Sequence, residues 1–374
     1  MINSVKLTQE LVRCPSVTPV EGGALDVCES FLKVGGFQTW RLPFAEVDNL
    51  FARFGKGGPH LCFAGHVDVV PVGDETHWKH PPFEGVIEGG CLYGRGAEDM
   101  KANIAAAMSA AVDFLSKTPG YKGSISFLLT GDEEGPAVNG TAKVLDWMSK
   151  NEQLPDKCVV IEPTAKSIPG DTLKVGRRGS INGQLIVKGV QGHAAYPSKA
   201  QNPLPGLVQL LGALVENPLD TGTEHFEPSS LQITTIDVGN EAQNVIPSQG
   251  QANFNSRFND LWTPESVEAE IRSRLDKVGV GYELRTSCNA VAFMTPLEKL
   301  AAPLADALEA ATGKRPQFST EGGTSDARFV QAFCPVVEMG LVCKTLHQVD
   351  EHVPTKDITE LERLYRAVIQ ALAA

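Results

Sequence analysis

Three short apolar runs constrain this chain most: HLCFAG at 60–65, SISFLLT at 124–130 and KCVVIE at 157–162, each leading directly into a histidine or an acid. Runs of this length, apolar on both faces, are strands covered on both sides, and helical periodicity fills the gaps between them, most clearly in the Ala-rich 100–117 and in 140–150. The first 175 residues therefore read as an α/β layer with helices on a largely parallel sheet.

The segment GRRGS at 176–180 breaks this pattern. Beyond it come a strand at 183–188, a helix at 203–215, strands at 231–237 and 250–257, a helix at 264–278 and a strand at 281–286, the β-α-β-β-α-β order of a ferredoxin-like unit. After TSCNAVAFMTP (286–296) helical periodicity returns at 297–312, with a strand near 335–338 and a closing helix at 357–372. A chain of 374 residues exceeds what one core usually supports, so the expected organisation is a first domain in two parts, 1–177 and 291–374, with a smaller domain inserted at 178–290.

Composition narrows the partners. Hydrophobic residues at 42% and charged residues at 21% suit a chain that folds throughout. A net charge of −12 without a basic stripe argues against nucleic acid or an anionic membrane as partner. The eight cysteines (14, 28, 62, 91, 158, 288, 334, 343) show no C-x-x-C pair or framework spacing, which points to reduced thiols that fill core space. MINSVKLTQELVR reads as an amphipathic helix rather than a signal peptide, and the run LVQLLGALV at 207–215 falls short of a bilayer span. These features together predict a soluble, cytoplasmic protein.

The chemistry gathers where the apolar runs end. His66 and Asp68, in LCFAGHVDVV, sit two apart on an extended chain and share a face at the carboxyl edge of the sheet, so His66 can bind a metal while Asp68 orients its imidazole. Asp99, in LYGRGAEDMK, fits either a helix N-terminus or a carboxylate whose two oxygens bridge two cations. Three consecutive acids, Asp132 to Glu134, come just after a buried strand and would repel one another unless cations or a proton relieve them. One of them can then serve as ligand and its neighbour as general base. Glu162 and His347 complete five candidate ligands, and two divalent cations against Asp99, Glu134, Glu162 and one hydroxide sum to zero charge. Mixed imidazole and carboxylate donors suit zinc, with cobalt or manganese as substitutes. Outside this set, His193 in QGHAAYP fits a turn histidine as well as a functional one, the Arg177–Arg178 pair a hinge or a carboxylate clamp, and EGGTSDARF at 321–329 a helix start or an anion cradle.

In order, GHVDVVPVGD, W-x-x-PPF, LYGRGAEDMK, TGDEEGPAVNGT, EPT, KVGRRGS, QGHAAYP, NVIP and EGGTSDARF resemble, nearly end to end, the two-zinc amidohydrolase and peptidase family that includes aminoacylases, acetylornithine deacetylase and carboxypeptidase G. The resemblance implies a zinc-peptidase-like catalytic domain and an inserted dimerisation domain acting as a lid. It implies one zinc on His66 and Glu162, the other on Glu134 and His347, and Asp99 bridging. Glu133 would be the general acid/base and Asp68 the orienter of His66. His193 would reach the partner subunit's active site, so a homodimer is implied. Substrate would meet Arg177, Tyr196, Asn244, Arg257, Gly323 and Thr324. The implied reaction is hydrolysis of N-succinyl-LL-2,6-diaminopimelate in lysine and cell-wall precursor synthesis, with N-acetylornithine or another N-acyl amino acid as the alternative. A non-catalytic, metal-stabilised dimeric binding protein is the reading from another class. Two positions depart from the pattern of the branch acting on the succinylated substrate: Cys343 stands where Asn is usual, and Glu98 where a small residue is usual.

Overall fold

The computed structural model describes residues 3–373. The chain forms two compact units: one runs to Val175 and resumes over Thr295–Ser319 and from Ser325 onward, and the other is Gly176–Met294 with Thr320–Thr324. The crossings fall at 175/176 and 294/295, a few residues from the 177/178 and 290/291 read from the sequence, and a short return segment joins the second unit.

The first unit is built on an eight-stranded mixed sheet in the order Gln38–Arg41, Asn49–Phe54, Ser124–Thr130, His60–His66, Lys157–Val160, Val336–Glu338, Thr172–Lys174, Gln317–Ser319. The three apolar runs lie side by side and parallel, in register at Ala64 with Leu128 and Val160. All seven residues of His60–His66 are buried. Phe63 stacks on Phe127 with centroids 5.5 Å apart and meets the ring of Tyr365 at 5.6 Å, so the helix Thr355–Leu372 covers that face. Phe51 pairs with Leu128, one residue beyond Phe127, and therefore points to the opposite face, where it meets Trp147 of the helix Thr141–Lys150 at 5.7 Å. Helices on both faces explain why these strands read as continuous apolar runs.

The Ala-rich helix begins at Ala102 rather than at 100. Asp99 and Met100 have non-helical φ/ψ, and the peptide between them is cis. Small side chains keep nearly all of Ala102–Lys117 buried and let it pack closely on Thr355–Leu372.

The second unit carries an antiparallel sheet in the order Ser230–Asp237, Gln249–Phe258, Gly179–Lys188, Glu283–Ala290, the strand order of a ferredoxin-like unit. Alternation along Gln249–Phe258 sends Ala252, Phe254 and Phe258 to a core closed by Leu207, Leu210 and Leu214 of one helix and Val267, Ile271 and Leu275 of another. All eight cysteines are free, with Cys28, Cys62, Cys158 and Cys334 buried. Among the described residues no helix is long and apolar enough to cross a membrane.

His60 opens the central strand with its ring buried, Nε2 2.7 Å from the Ser126 hydroxyl and Nδ1 3.2 Å from the Leu154 carbonyl. Burial holds its pKa down to about 4. The folded protein thus keeps His60 neutral where the unfolded chain, titrating near 6.5, takes up a proton. Its contribution is complete above about pH 6.5 and fades as pH falls to about 4, by roughly 3 kcal/mol at most. Urea unfolding of metal-stripped protein should therefore show the stability gap between wild type and His60→Gln narrowing from pH 7 to pH 4.5; a gap independent of pH contradicts this account.

Candidate metal centre

Because the three central strands are parallel and adjacent, the residues just beyond each of them arrive at one edge of the sheet. His66 ends the middle strand in register with Thr130, so Glu133 and Glu134 emerge beside it from one neighbour and Glu162 from the other. Gly65 leaves room for Met100, whose methyl would lie 2.7 Å from an added Cβ, and the Met100 sulfur accepts the His66 N–H at 3.3 Å. That contact brings the turn holding Asp99 against the strand end. Gly340 serves the opposite flank, since a Cβ there would sit 2.2 Å from the Glu162 carbonyl oxygen.

The side chains converge in two sets about one carboxylate. Asp99 turns Oδ1 toward His66 Nε2 at 3.3 Å, and Glu162 Oε1 lies 3.8 Å from the same nitrogen. Its Oδ2 faces His347 Nε2 at 3.0 Å, and that nitrogen is 2.9 Å from Glu134 Oε1. His347 reaches this position with φ of +61°, a left-handed conformation that histidine tolerates better than most side chains. Ligand atoms of His66, Asp99 and Glu134, and likewise of His66, Glu133 and Glu162, lie within 4.8 Å of one another. Asp99 Oδ1 is buried and makes no hydrogen bond beyond its 3.3 Å approach to His66, an environment that a cation satisfies. The five donors are nitrogen and oxygen only, in a mixture suited to two divalent cations.

Electrostatics describe the same strain. Burial pushes the Glu162 carboxyl well above the ordinary range and Glu133 up to about 8, in both cases reinforced by neighbouring carboxylates. Asp99 goes the other way: burial would raise it, but His347 and His66 outweigh that and hold it low. For His347 the hydrogen bonds to Asp99 and Glu134 raise the imidazole to about 10. Without cations the cluster relieves its repulsion by binding protons.

Two of the acids work differently from their neighbours. Asp132 turns back, its Oδ2 accepting the Val138 and Asn139 N–H groups at 2.9 and 3.0 Å, and so shapes the loop rather than the cluster. Asp68 holds His66 through its main-chain carbonyl, 2.9 Å from Nδ1, with its carboxylate 3.7 Å away. That carboxylate accepts the Glu133 and Glu134 N–H groups at 3.3 and 3.1 Å, which holds the backbone of both glutamates.

Two further buried acids, Glu351 and Asp326, stand beside the centre without a motif that marks them in the sequence. Glu351 is fully buried, pairs with Arg95 at 2.7 Å and accepts the N–H groups of Gly96, Glu98 and Asp99 at 3.1, 2.9 and 3.1 Å. Its one sequence signal is an acid four residues beyond His347. Asp326, in EGGTSDARF, is buried beside Thr141, which donates to it, and its charge helps raise Glu133; its own pKa is pushed up to about 6 by burial.

The remaining candidates belong to the second unit. His193 pairs with Val245 in a two-stranded ladder, accepts the Ala195 N–H at Nδ1 (3.0 Å) and sits edge-on to Tyr196 with centroids 5.7 Å apart. The Asn244 carbonyl accepts the Ala194 N–H at 2.8 Å. Arg257 lies across from Ser180 and bonds Asn255 at 3.0 Å. Arg177 donates to the Glu321 carbonyl at 2.9 Å in the segment that carries Gly323 and Thr324, while Arg178 pairs with Glu227 at 3.4 Å.

The chain is 54% identical over 371 residues to a succinyl-diaminopimelate desuccinylase of Rhodospirillum centenum, covering 98% of this chain and 96% of the relative. It is 51% identical over 375 residues to one of Beijerinckia indica, covering 98% of each. Among solved structures, the fold matches aminopeptidase PepT of Bacillus cereus (TM-score 0.81, 18% identity, 99% and 98% coverage) and YXEP of Bacillus subtilis, a dinuclear metal-binding peptidase (TM-score 0.71, 16% identity, 99% and 98% coverage). The profile of peptidase family M20/M25/M40 matches residues 62–371, from the first strand of the metal centre to the closing helix, and the chain belongs to that family.

Proposed function

We propose that this chain hydrolyses N-succinyl-LL-2,6-diaminopimelate to succinate and LL-2,6-diaminopimelate, using two zinc ions per subunit with cobalt as a workable substitute. The observation that carries the reading is the split of Asp99, one oxygen toward His66 and Glu162 and the other toward His347 and Glu134. Relatives at 51% and 54% identity over almost the whole chain support the substrate.

When bound, two divalent cations supply Lewis acidity to the amide carbonyl, acidify the attacking water and favour the ionised forms of the surrounding carboxylates. Glu133 takes the proton released as water adds to the carbonyl carbon, then delivers it to the amine nitrogen as the C–N bond breaks. Burial beside the ligand set suits it to both steps, because it keeps the carboxyl from being a fully solvated, weakly basic carboxylate. Asp68 holds the backbone of Glu133 and Glu134 through their N–H groups, a fixed support for one side chain to act as base and its neighbour to bind metal.

His193 of the partner subunit stabilises the oxyanion, and Arg177, Tyr196, Asn244, Arg257, Gly323 and Thr324 receive the carboxylates and amide of the substrate. Pairing of two chains through the second unit is supported by its open edge strand Ser230–Asp237 and by exposed Ile236, Val208 and Val215. The enzyme acts in the cytoplasm, in keeping with eight cysteines that all stand as free thiols.

Side-by-side turnover of succinyl-diaminopimelate and N-acetylornithine by the purified, zinc-loaded protein should favour the succinylated substrate in kcat/KM; preference for acetylornithine assigns the chain to the other amide. Glu133→Ala should keep its metal content and lose about 10²- to 10⁴-fold in turnover. Near-normal turnover removes Glu133 from the proton transfers. Metal-free His347 carries a proton up to about pH 10, and only neutral imidazole binds a metal. Loading at pH 7.5 should therefore release protons, seen by calorimetry in buffers of different ionisation enthalpy, and affinity should rise with pH. Buffer-independent heats contradict a ligand role for His347.

A further inference from the structure

Glu98, beside the bridging carboxylate, introduces no like charge into the cluster: its buried side chain turns toward the loop that carries His347. There Oε1 accepts the Lys344 N–H, and Oε2 accepts both the Thr345 N–H at 2.8 Å and the Thr345 hydroxyl. Thr345 is held again by His352, whose N–H donates to its hydroxyl oxygen at 3.1 Å. The return connection is Glu351, which accepts three N–H groups of the turn carrying Asp99. Each of the two ligand-bearing segments thus lends a buried carboxylate to the backbone of the other. Of these two carboxylates, Glu98 is the one that holds the near side of His347, two positions before a backbone with φ of +61°.

We infer that Glu98 is a positioning residue for one metal of the pair: it holds the His347 loop so that the His347–Glu134 set binds its cation, and it leaves the His66–Glu162 set unaffected. This rests on the two-metal reading of the site. A carboxylate is required because all three groups it meets are donors. An amide offers one oxygen and turns N–H groups toward the rest.

The test uses metal-stripped full-length protein titrated with Zn²⁺ against a chromophoric chelator, together with hydrogen exchange read at the Lys344 and Thr345 amides. Wild type should bind two equivalents and protect both amides. Glu98→Ala should weaken one equivalent about 10- to 100-fold and leave the other within about 3-fold, with protection lost at both amides. Glu98→Gln should recover part of each effect, a graded rescue not expected of a residue that merely fills space. Equal weakening of both equivalents, or two equivalents at wild-type affinity, overturns the inference. If Glu98→Ala does not fold, Thr345→Val removes only the hydroxyl donor and should give the same selective loss, smaller in size; an unselective loss counts against the role. Wild type that binds fewer than two equivalents defeats the two-metal reading instead, and exchange at the two amides then still decides whether Glu98 holds the loop.

Discussion

Mutual repulsion among carboxylates confined at one edge of a sheet is the constraint on which the rest of the first unit depends. Asp99, Glu133, Glu134 and Glu162 are brought together by backbone elements that have no freedom to separate them, with two imidazoles between. Taken as bare charges in a buried setting they would destabilise the fold, and the protonation pattern of the metal-free cluster records that cost: Glu133 and Glu162 are pushed up, and His347 holds its proton. Cations that satisfy the same charges stabilise the folded chain as they bind it. Metal affinity and fold stability are in this respect one quantity.

The scaffold meets this with backbone hydrogen bonds more than with ion pairs. Asp68 and Asp132 each spend a buried carboxylate on N–H groups of loops, and Glu351 divides its own between such N–H groups and Arg95. Bonds to N–H groups lock loop shape without adding a competing positive charge, and the imidazoles of His66 and His347 are the side chains that face the ligand carboxylates as counter-charges.

The sheet core and the acids just beyond it were legible because their signal is local: a buried strand reads as an unbroken apolar run, and the residue after it must lie at the edge. The ferredoxin-like unit was legible for the same reason, since its alternation and helical periods survive in 183–286. Less could be read where structure depends on pairings distant in sequence. Nothing in VDEHV announces that Glu351 reaches a turn some 250 positions earlier, and a pattern-based reading places Asp68 on the imidazole by its carboxylate when the carbonyl is closer. The Ala-rich pattern runs two residues past the true helix start at Ala102 because Asp99 and Met100 are held out of helical geometry by contacts with His66 and Glu351 that no propensity encodes.

The strand order carries a consequence for how the molecule is made. Four of the five candidate ligands lie before residue 163, but His347 and the helix whose Tyr365 closes the face over Phe63 come after the entire second unit. A chain emerging from its N-terminus therefore completes the central strands and their acids long before it has the imidazole and the apolar cover that belong with them. Through that interval the growing chain holds an anionic, half-covered sheet edge, and the last segment to be synthesised turns it into a finished centre.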